Sequence, residues 1–267
     1  MSTLTTEAPG TPVAASSPIA PVPFSRLLKV ELRKTTNTRA GFWLLVAIGV
    51  ITAAVIVIYL FAAQPEELTF ETFLLVTMTP QGFLLPVMAI LAVTAEWSQR
   101  TGLVTFTLEP SRLRVTAAKL VALMLLGLLA IALAVGLAAV GNVLGMGLKD
   151  GAGDWNVTGA YLRDFTVLQL ASLVQGFAFG LLLMHSAAAI VLYFVVPTIW
   201  SVLFTLVDWL ADLAPWVDLG TAANPLLLGE SLTGEEWLHV AVAGSLWVLL
   251  PLALGLVRLT RSEVKSS

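Results

Sequence analysis

Long apolar runs alternate with short polar segments along the chain, and this pattern predicts six membrane-spanning helices. A helix needs about 20 residues to cross the roughly 30 Å of hydrocarbon in a bilayer. Six runs qualify: Gly41–Ala63, Phe73–Ala95, Leu120–Leu144, Phe165–Met184, Ala187–Leu206 and Trp237–Val257. Only His185 and Ser186 separate the fourth run from the fifth, and one helix through both would be about 60 Å long, so a tight hairpin is predicted there. The predicted fold class is an all-α, polytopic membrane protein, with a transmembrane domain at 40–258.

The segment before the first span has the pattern of an amphipathic helix. Between Phe24 and Thr36, apolar side chains recur at helical spacing and basic side chains occupy the rest of the surface. This spacing predicts a helix within 24–39 that lies in the membrane interface. The residues that define it are Phe24, Leu27, Leu28, Glu31 and Arg33. A basic flank that only anchors the first span is the alternative.

The segment 207–234 is neither a span nor a simple loop. It is too acidic to span, and Pro215, Gly220 and Pro225 interrupt it, yet it is rich in Trp and Leu. Irregular backbone is tolerated at membrane depth only where protein shelters it. We therefore expect short re-entrant half-helices in the outer leaflet.

Composition supports a membrane class and excludes cysteine chemistry. Hydrophobic residues make up 58% of the chain and charged residues only 12%, whereas a soluble domain is about a quarter charged. The sequence has no cysteine, and His185 and His239 are too few for a metal site. Residues 1–23 and 259–267 are expected to be tails, the first one disordered, and 1–23 lacks the order of segments typical of a cleaved signal peptide.

The 14 Lys and Arg residues are concentrated on one side of the predicted membrane. Five precede the first span, four lie between the second and third, and three follow the sixth, so only Lys149 and Arg163 fall on the other side. The loops on that other side are rich in Asp and Glu. The positive-inside rule then predicts a multi-pass protein of the cell (inner) membrane with both termini in the cytoplasm.

The predicted cytoplasmic loop 96–119 carries the densest set of polar signals. Glu96 and Arg100 have the spacing of a helical ion pair, Pro110 ends any helix before it, and Ser111 is a candidate cap for the next helix. Three basic residues near that helix start are disfavoured by its dipole: Arg112, Arg114 and Lys119. Lipid headgroups and membrane orientation explain them in one interpretation, and docking of another protein explains them in the other.

The same loop resembles a known family of membrane proteins. The run from Glu96 to Lys119 reads E-W-x-x-R-T-x(5)-T-L-x-P-S-R-x-R-x(4)-K. It is similar to the first cytoplasmic loop of type-2 ABC transporter permeases, the membrane subunits of ATP-binding-cassette systems. The segment from Phe24 to Arg33 approximates the pattern F-x-x-L-x-x-E-x-x-K of the connecting helix in that family. One departure is His185, since the corresponding turn usually carries Arg or Lys.

The resemblance implies a permease subunit of an exporter that is powered by a separate cytoplasmic ATPase, which would bind ATP and Mg. The ATPase would dock on the 24–36 helix and on the loop, and its closure would tilt spans one, two and five. The implied coupling residues are Glu96, Arg100, Thr101, Pro110, Arg112, Arg114 and Lys119. A second copy or a sister permease would complete the path within the lipid bilayer, and no nucleic acid is expected as a partner. None of the five lysines lies in a G-x(4)-G-K-[ST] phosphate loop, so the chain itself is predicted to bind no cofactor and to catalyse no reaction.

Polar residues within the spans are few and uncharged. Gln81, Gln169 and Gln175 are candidates for the pathway or for helix packing, with packing the favoured interpretation for the last two. The absence of a charge near a span centre argues against an ion-coupled carrier. A path lined by apolar side chains favours an apolar or amphipathic substrate.

Three other functions compete with this interpretation. An intramembrane hydrolase is suggested only by Glu235 and Glu236, and the arginine that such a motif needs is replaced by Val240. A secondary transporter would need a coupling charge or an internal repeat. A non-transporting sensor or anchor subunit fits the same pattern of spans and stays open.

Overall fold

The computed structural model describes residues 22–98, 109, 111–227, 229–230 and 232–261, and this part of the chain is α-helical without a strand. Six of its helices are long and apolar enough to cross a bilayer, which confirms the predicted fold class. They are α2 Arg39–Ala62, α3 Phe70–Ser98, α4 Arg112–Lys149, α5 Gly159–Leu183, α6 Ser186–Leu206 and α10 Gly234–Arg261. The shorter helices are α1 Phe24–Asn37, α7 Asp208–Ala211, α8 Ala214–Val217 and α9 Leu219–Leu227. A π-helical turn at Ser245–Leu249 interrupts α10.

Helices α3 and α5 form the centre of the bundle. They pack against each other more extensively than any other pair, with α2, α4 and α10 around them. Gly176 of α5 lies so close to α3 that an added Cβ would be 2.6 Å from the Pro86 carbonyl oxygen. In the most apolar 18-residue stretch of α3 and of α5, half of the residues are buried inside the protein. In the corresponding stretches of α6 and α10 the buried share is 17%. The outer helices therefore keep most of their apolar surface for lipid.

Helix α4 is longer than the span predicted within it. Its 38 residues rise about 57 Å, well beyond the hydrocarbon layer, so the predicted Leu120–Leu144 is only its apolar middle. Ser111 is at the N-cap position, but its side chain makes no capping hydrogen bond. The carbonyl of Ser111 instead accepts the backbone N–H groups of Arg114 and Val115.

One end of the bundle, here the acidic end, is closed by two loops that bond to each other. The N–H groups of Ala152 and Gly153 donate to the carbonyls of Pro65 and Leu68, at 2.9 and 3.1 Å. The N–H of Phe70 returns a bond to the carbonyl of Asp154 at 2.9 Å. These bonds join the α2–α3 connection to the α4–α5 connection. The ends of four helices, α2 to α5, are therefore held together by two bonded loops.

The predicted hairpin between the fourth and fifth spans is present at the opposite end, here the basic end. Met184 turns the chain with φ of 53°, and the His185 Nδ1 atom caps α6 by accepting the N–H of Ala188 at 3.2 Å. Arg258, near the end of α10, donates to the carbonyl of Leu182. The cation at this turn thus comes from another helix, not from the turn itself.

Three short helices occupy the segment for which half-helices were expected. Helices α8 and α9 pack against α10, and α9 also contacts α5. The indole N–H of Trp247 in α10 donates to the carbonyl of Val217 at 2.5 Å. Their position in the outer leaflet stays a prediction.

Helix α1 begins at Phe24 as predicted and crosses the basic end of the bundle. Its fully buried residues are Glu31 and Thr35, while Leu27, Leu28 and Leu32 are half-buried. Thr35 donates its hydroxyl to the carbonyl of Glu31, which satisfies one buried polar group. The face that meets the bundle is therefore partly polar, because it lies over charged side chains of α3 and α4.

Candidate functional site

Four charged side chains from three helices meet under α1, and we call them the ionic cluster: Glu31, Lys34, Glu96 and Lys119. The Lys119 ammonium lies 2.7 Å from Glu31 and 3.2 Å from Glu96. Lys34 lies 2.8 Å from Glu31 and 3.4 Å from the same Glu96 oxygen. Each lysine thus contacts both carboxylates, and the cluster ties α1 to the end of α3 and the start of α4.

The ionic cluster is neutral and mostly hidden from solvent. Glu31, Glu96 and Lys119 are 2%, 6% and 6% exposed, whereas Lys34 is partly open. Lys119 also donates to the carbonyl of Ala92 at 3.2 Å. Buried charges persist only when they are paired and hydrogen-bonded, and removing one partner is strongly destabilising.

The pKa shifts of Glu31 and Lys34 both favour the charged form of these side chains. Burial acts to raise the pKa of Glu31, but the ammonium groups of Lys119 and Lys34 hold that pKa below its ordinary value. Burial acts to lower the pKa of Lys34, and the carboxylates of Glu31 and Glu96 raise it overall. The contribution of Glu31 to stability is therefore complete above the ordinary carboxyl pKa and is lost as pH falls through the lowered value. The contribution of Lys34 is complete below the ordinary lysine pKa and is lost as pH rises through the raised one.

Four of the seven coupling residues suggested by the sequence are described, and all four have partners within the chain. Glu96 and Lys119 belong to the ionic cluster, so their side chains are covered by α1. Arg114 donates to the Val22 carbonyl at 2.7 Å and lies 3.2 Å from the Glu109 carboxylate. Arg112 donates to the Leu259 carbonyl of α10 at 2.8 Å. Arg100, Thr101 and Pro110 lie outside the described residues.

The outer surface of α1 is open to a partner at this end. Phe24, Arg26, Lys29, Val30 and Arg33 are all exposed. Their mixture of basic and apolar side chains suits a lipid headgroup layer or an acidic and apolar protein surface. Helix α1 therefore presents basic and apolar side chains on its exposed face and covers the buried ionic cluster with its other face.

A cavity of about 1170 Å³ lies among α3, α5, α6, α9 and α10. Its walls are mainly apolar, and the large side chains that line it are Phe83, Tyr193, Phe194, Trp237 and Trp247. Two of them remain exposed, Phe83 at 53% and Trp237 at 49%, so the cavity is open at its sides. Binding pockets for small molecules are about 300–1,000 Å³, so this one has room for a larger ligand.

The three glutamines named from the sequence have different roles. Gln81 donates to the Ala130 carbonyl of α4 at 2.8 Å, and Gln169 of α5 donates to the Gln81 side chain at 3.5 Å. These bonds join three helices, as expected for helix packing. Gln175 lines the cavity, is 7% exposed and makes no hydrogen bond with any described residue. Its whole amide group therefore remains available to a ligand.

Charged residues that sequence reasoning left out line the acidic-end rim of the cavity. The Arg163 Nε atom donates to buried Asp164 at 2.7 Å. Asp218 accepts the N–H and the hydroxyl of Thr221 at 3.0 and 2.6 Å. The sequence places only two basic residues, Lys149 and Arg163, on the predicted acidic side. This rarity was the signal that could have identified Arg163 as a candidate site residue.

The described part of the chain has no candidate metal site, and the acidic pair Glu235 and Glu236 lies at the start of α10. It contains no group of three His, Asp or Glu side chains that could hold a metal. Glu236 caps α10 through the N–H and hydroxyl of Thr233, at 2.7 and 2.8 Å, and Glu235 is exposed. The acidic pair that suggested a membrane hydrolase is therefore a helix start.

The chain matches no model of a known protein family and no curated protein sequence. Its class is defined by its architecture, a multi-pass α-helical membrane protein with six helices able to span a bilayer. The ionic cluster, the cavity and the charge distribution are the features from which a more specific function can be proposed.

Proposed function

We propose that the chain is the membrane-spanning permease subunit of an ATP-binding-cassette transporter and exports an apolar or amphipathic substrate. The observation that carries the proposal is the ionic cluster. It joins α1 to α3 and α4 at the two segments whose sequences resemble those of type-2 ABC permeases.

Orientation follows from the distribution of charge. The exposed basic residues of α1, together with Arg258 and Arg261 of α10, are at the basic end of the bundle. The positive-inside rule assigns this end to the cytosol. A cytoplasmic ATPase with bound ATP and Mg would then meet the exposed face of α1 and the segment between α3 and α4.

The ionic cluster gives such a contact a mechanical consequence. A push on α1 reaches Glu96 through Lys34, and it reaches Lys119 through Glu31, so α3 and α4 would move with α1. Buried paired charges have few alternative arrangements, which makes the connection stiff. Glu96 and Lys119 are positioning residues in this scheme and do not touch the ATPase.

The cavity supplies the substrate side of the proposal. It adjoins α3 and α5, the central helices, and extends along the acidic half of the bundle. A mainly apolar wall favours ligands that partition from the bilayer. A second copy of the chain, or a sister permease, would complete the transport path.

Co-purification tests the proposal directly. A tagged full-length chain extracted in mild detergent should retain an ATPase that contains a phosphate loop, and the complex should hydrolyse ATP in nanodiscs. Absence of any ATPase from extracts that retain the intact chain would contradict the assignment. An ATPase that co-purifies without supporting transport would indicate the sensor or anchor alternative.

Replacing Glu96 with alanine should uncouple the complex. We expect normal insertion and retained ATP hydrolysis, but loss of most transport, because α1 would no longer be tied to α3. Glu71→Ala is the matched control, since Glu71 is an exposed acid at the opposite end of α3. Transport that survives equally in both variants would remove the coupling role of the ionic cluster.

A further inference from the structure

The cavity carries polar groups at both ends of an apolar wall. Asp164 lies near the start of α5 and Gln175 lies three helical turns further along, and both line the cavity. The rise between them is about 16 Å at 1.5 Å per residue. A ligand that satisfied both would be elongated and would have polar groups at separated positions.

Two glutamines of α5 that line the cavity have amide atoms without a hydrogen-bond partner among the described residues. Gln175 makes no hydrogen bond with a described residue although it is more than nine-tenths buried. The Oε1 atom of Gln169 accepts no hydrogen bond from the described residues either, since its Nε2 atom makes the contacts with Gln81 and Met78. Both glutamines line the cavity, so a ligand there can hydrogen-bond to these atoms. A plain acyl chain would fill the space and leave them unpaired.

Peptide groups meet this requirement at the observed spacing. An extended chain advances about 3.3–3.6 Å per residue, so four or five residues cover about 16 Å. Such a chain offers N–H donors to Gln169 and both donors and acceptors to Gln175. Apolar side chains would contact the aromatic wall, which Phe83, Phe194 and Trp247 help to form.

The rim of the cavity selects the sign of the ligand's charge. Asp164 and Asp218 contribute two carboxylates and Arg163 one guanidinium, which is already bonded to Asp164. The rim therefore has an excess of one negative charge, which attracts a cation and repels an anion. An α-amino group at the end of a peptide provides such a cation.

We infer that this cavity binds a short hydrophobic peptide with a cationic end, with Gln175 as a contact for its backbone. The inference names a substrate class and in that sense rests on the proposed function. The peptide lies along α5, its amino end at Asp164 and Asp218 and its other end at Gln175.

Binding of a matched set of tetrapeptides to the full-length chain tests the inference. Tritiated Phe-Leu-Leu-Phe amide, with a free amino group, is measured by equilibrium dialysis against the protein in phosphatidylcholine nanodiscs. The acetylated amide is neutral and the acetylated acid is anionic, with the same side chains. We expect saturable binding of the cationic peptide and about tenfold weaker binding of the anionic one.

Variants of cavity-lining residues test whether the peptide binds in the cavity. Gly244→Leu narrows it, because Gly244 lines the cavity and a Cβ there meets nothing within 4 Å. Gly136→Leu on α4 is the control, because its Cβ also meets nothing within 4 Å and it does not line the cavity. We expect binding to be lost in the first and kept in the second. Gln175→Leu should weaken binding about fivefold to tenfold through loss of hydrogen bonds.

Specific results would overturn the inference. Equal binding by the anionic and cationic peptides would contradict the charge argument, and unchanged binding in Gly244→Leu or Gln175→Leu would contradict the location. Full displacement of the peptide by oleate at equal concentration would show a lipid-chain site instead. The thermal unfolding midpoint of each variant identifies misfolding, and Gln175→Leu stands if Gly244→Leu fails to fold. The assay contains no ATPase, so its outcome is separate from that of the co-purification.

Discussion

Replacing Lys119 with methionine should destabilise the protein by about 3–5 kcal/mol, because it leaves two buried carboxylates with only the partly exposed Lys34 as a cation. Lys119 is 6% exposed and contacts both Glu31 and Glu96. Methionine has a similar length and no charge, so packing is largely kept while the ion pairs are lost. The thermal unfolding midpoint in detergent measures the effect.

The control for this variant is Lys29→Met, a lysine on the exposed face of α1. Exposed charges contribute about 0–1 kcal/mol, so the midpoint of the control should hardly change. Adding Glu31→Gln to Lys119→Met should recover part of the loss, because Lys34 then has one buried carboxylate to neutralise instead of two. Equal midpoints for Lys119→Met and Lys29→Met would show that the ionic cluster does not hold α1 to the bundle.

Replacing Gly41 with alanine should displace α1 from the start of α2. An added Cβ would lie 1.8 Å from the Thr35 carbonyl oxygen and 2.9 Å from the Thr38 hydroxyl, so the corner between the helices has to open. Overpacking of this kind costs about 1–3 kcal/mol, and the contact here is with backbone. Faster proteolysis within α1 and a lower unfolding midpoint are the expected results.

Gly147→Ala on α4 is the comparison for this change, because a Cβ at Gly147 meets nothing within 4 Å. That substitution should leave the fold intact and slightly favour the helix. If Gly41→Ala and Gly147→Ala gave the same proteolysis rate, the close approach at Gly41 would not be a constraint on α1.

The spans could be predicted from sequence because crossing a bilayer depends on the local length and apolarity of one segment. For the same reason the turn at His185 was predictable, since no single helix could accommodate two spans. The full length of α4 was not, because its polar ends beyond Leu120–Leu144 carry no hydropathy signal. They are helical in part through contacts made with α1, α2 and α10.

The sequence singled out most members of the ionic cluster but not their pairing. Glu31, Glu96 and Lys119 were named, yet Glu96 was matched to Arg100, four residues along. Its described partners are Lys34 and Lys119, which come from other helices. Pairing of this kind depends on how helices dock, and a single sequence contains no direct record of that arrangement.

The cavity could not be predicted from the sequence, for a similar reason. Its walls come from five separate helices, and their inward faces are set by tertiary packing. Gln169 and Gln175 were treated as a pair with the same role in packing. Both line the cavity, but Gln169 also bonds to Gln81, whereas Gln175 makes no hydrogen bond with a described residue.

The orientation of the basic and acidic ends in the membrane is the central claim, and cysteine labelling tests it most directly. The chain has no cysteine, so single substitutions at Glu66, Glu230 and Arg26 can be read without background. With a membrane-impermeant maleimide on intact cells, Glu66→Cys and Glu230→Cys should react, and Arg26→Cys should react only after permeabilisation. Labelling of Arg26→Cys in intact cells, with Glu66→Cys and Glu230→Cys protected, would show that the protein has the opposite orientation in the membrane. That result would contradict docking of a cytoplasmic ATPase on α1.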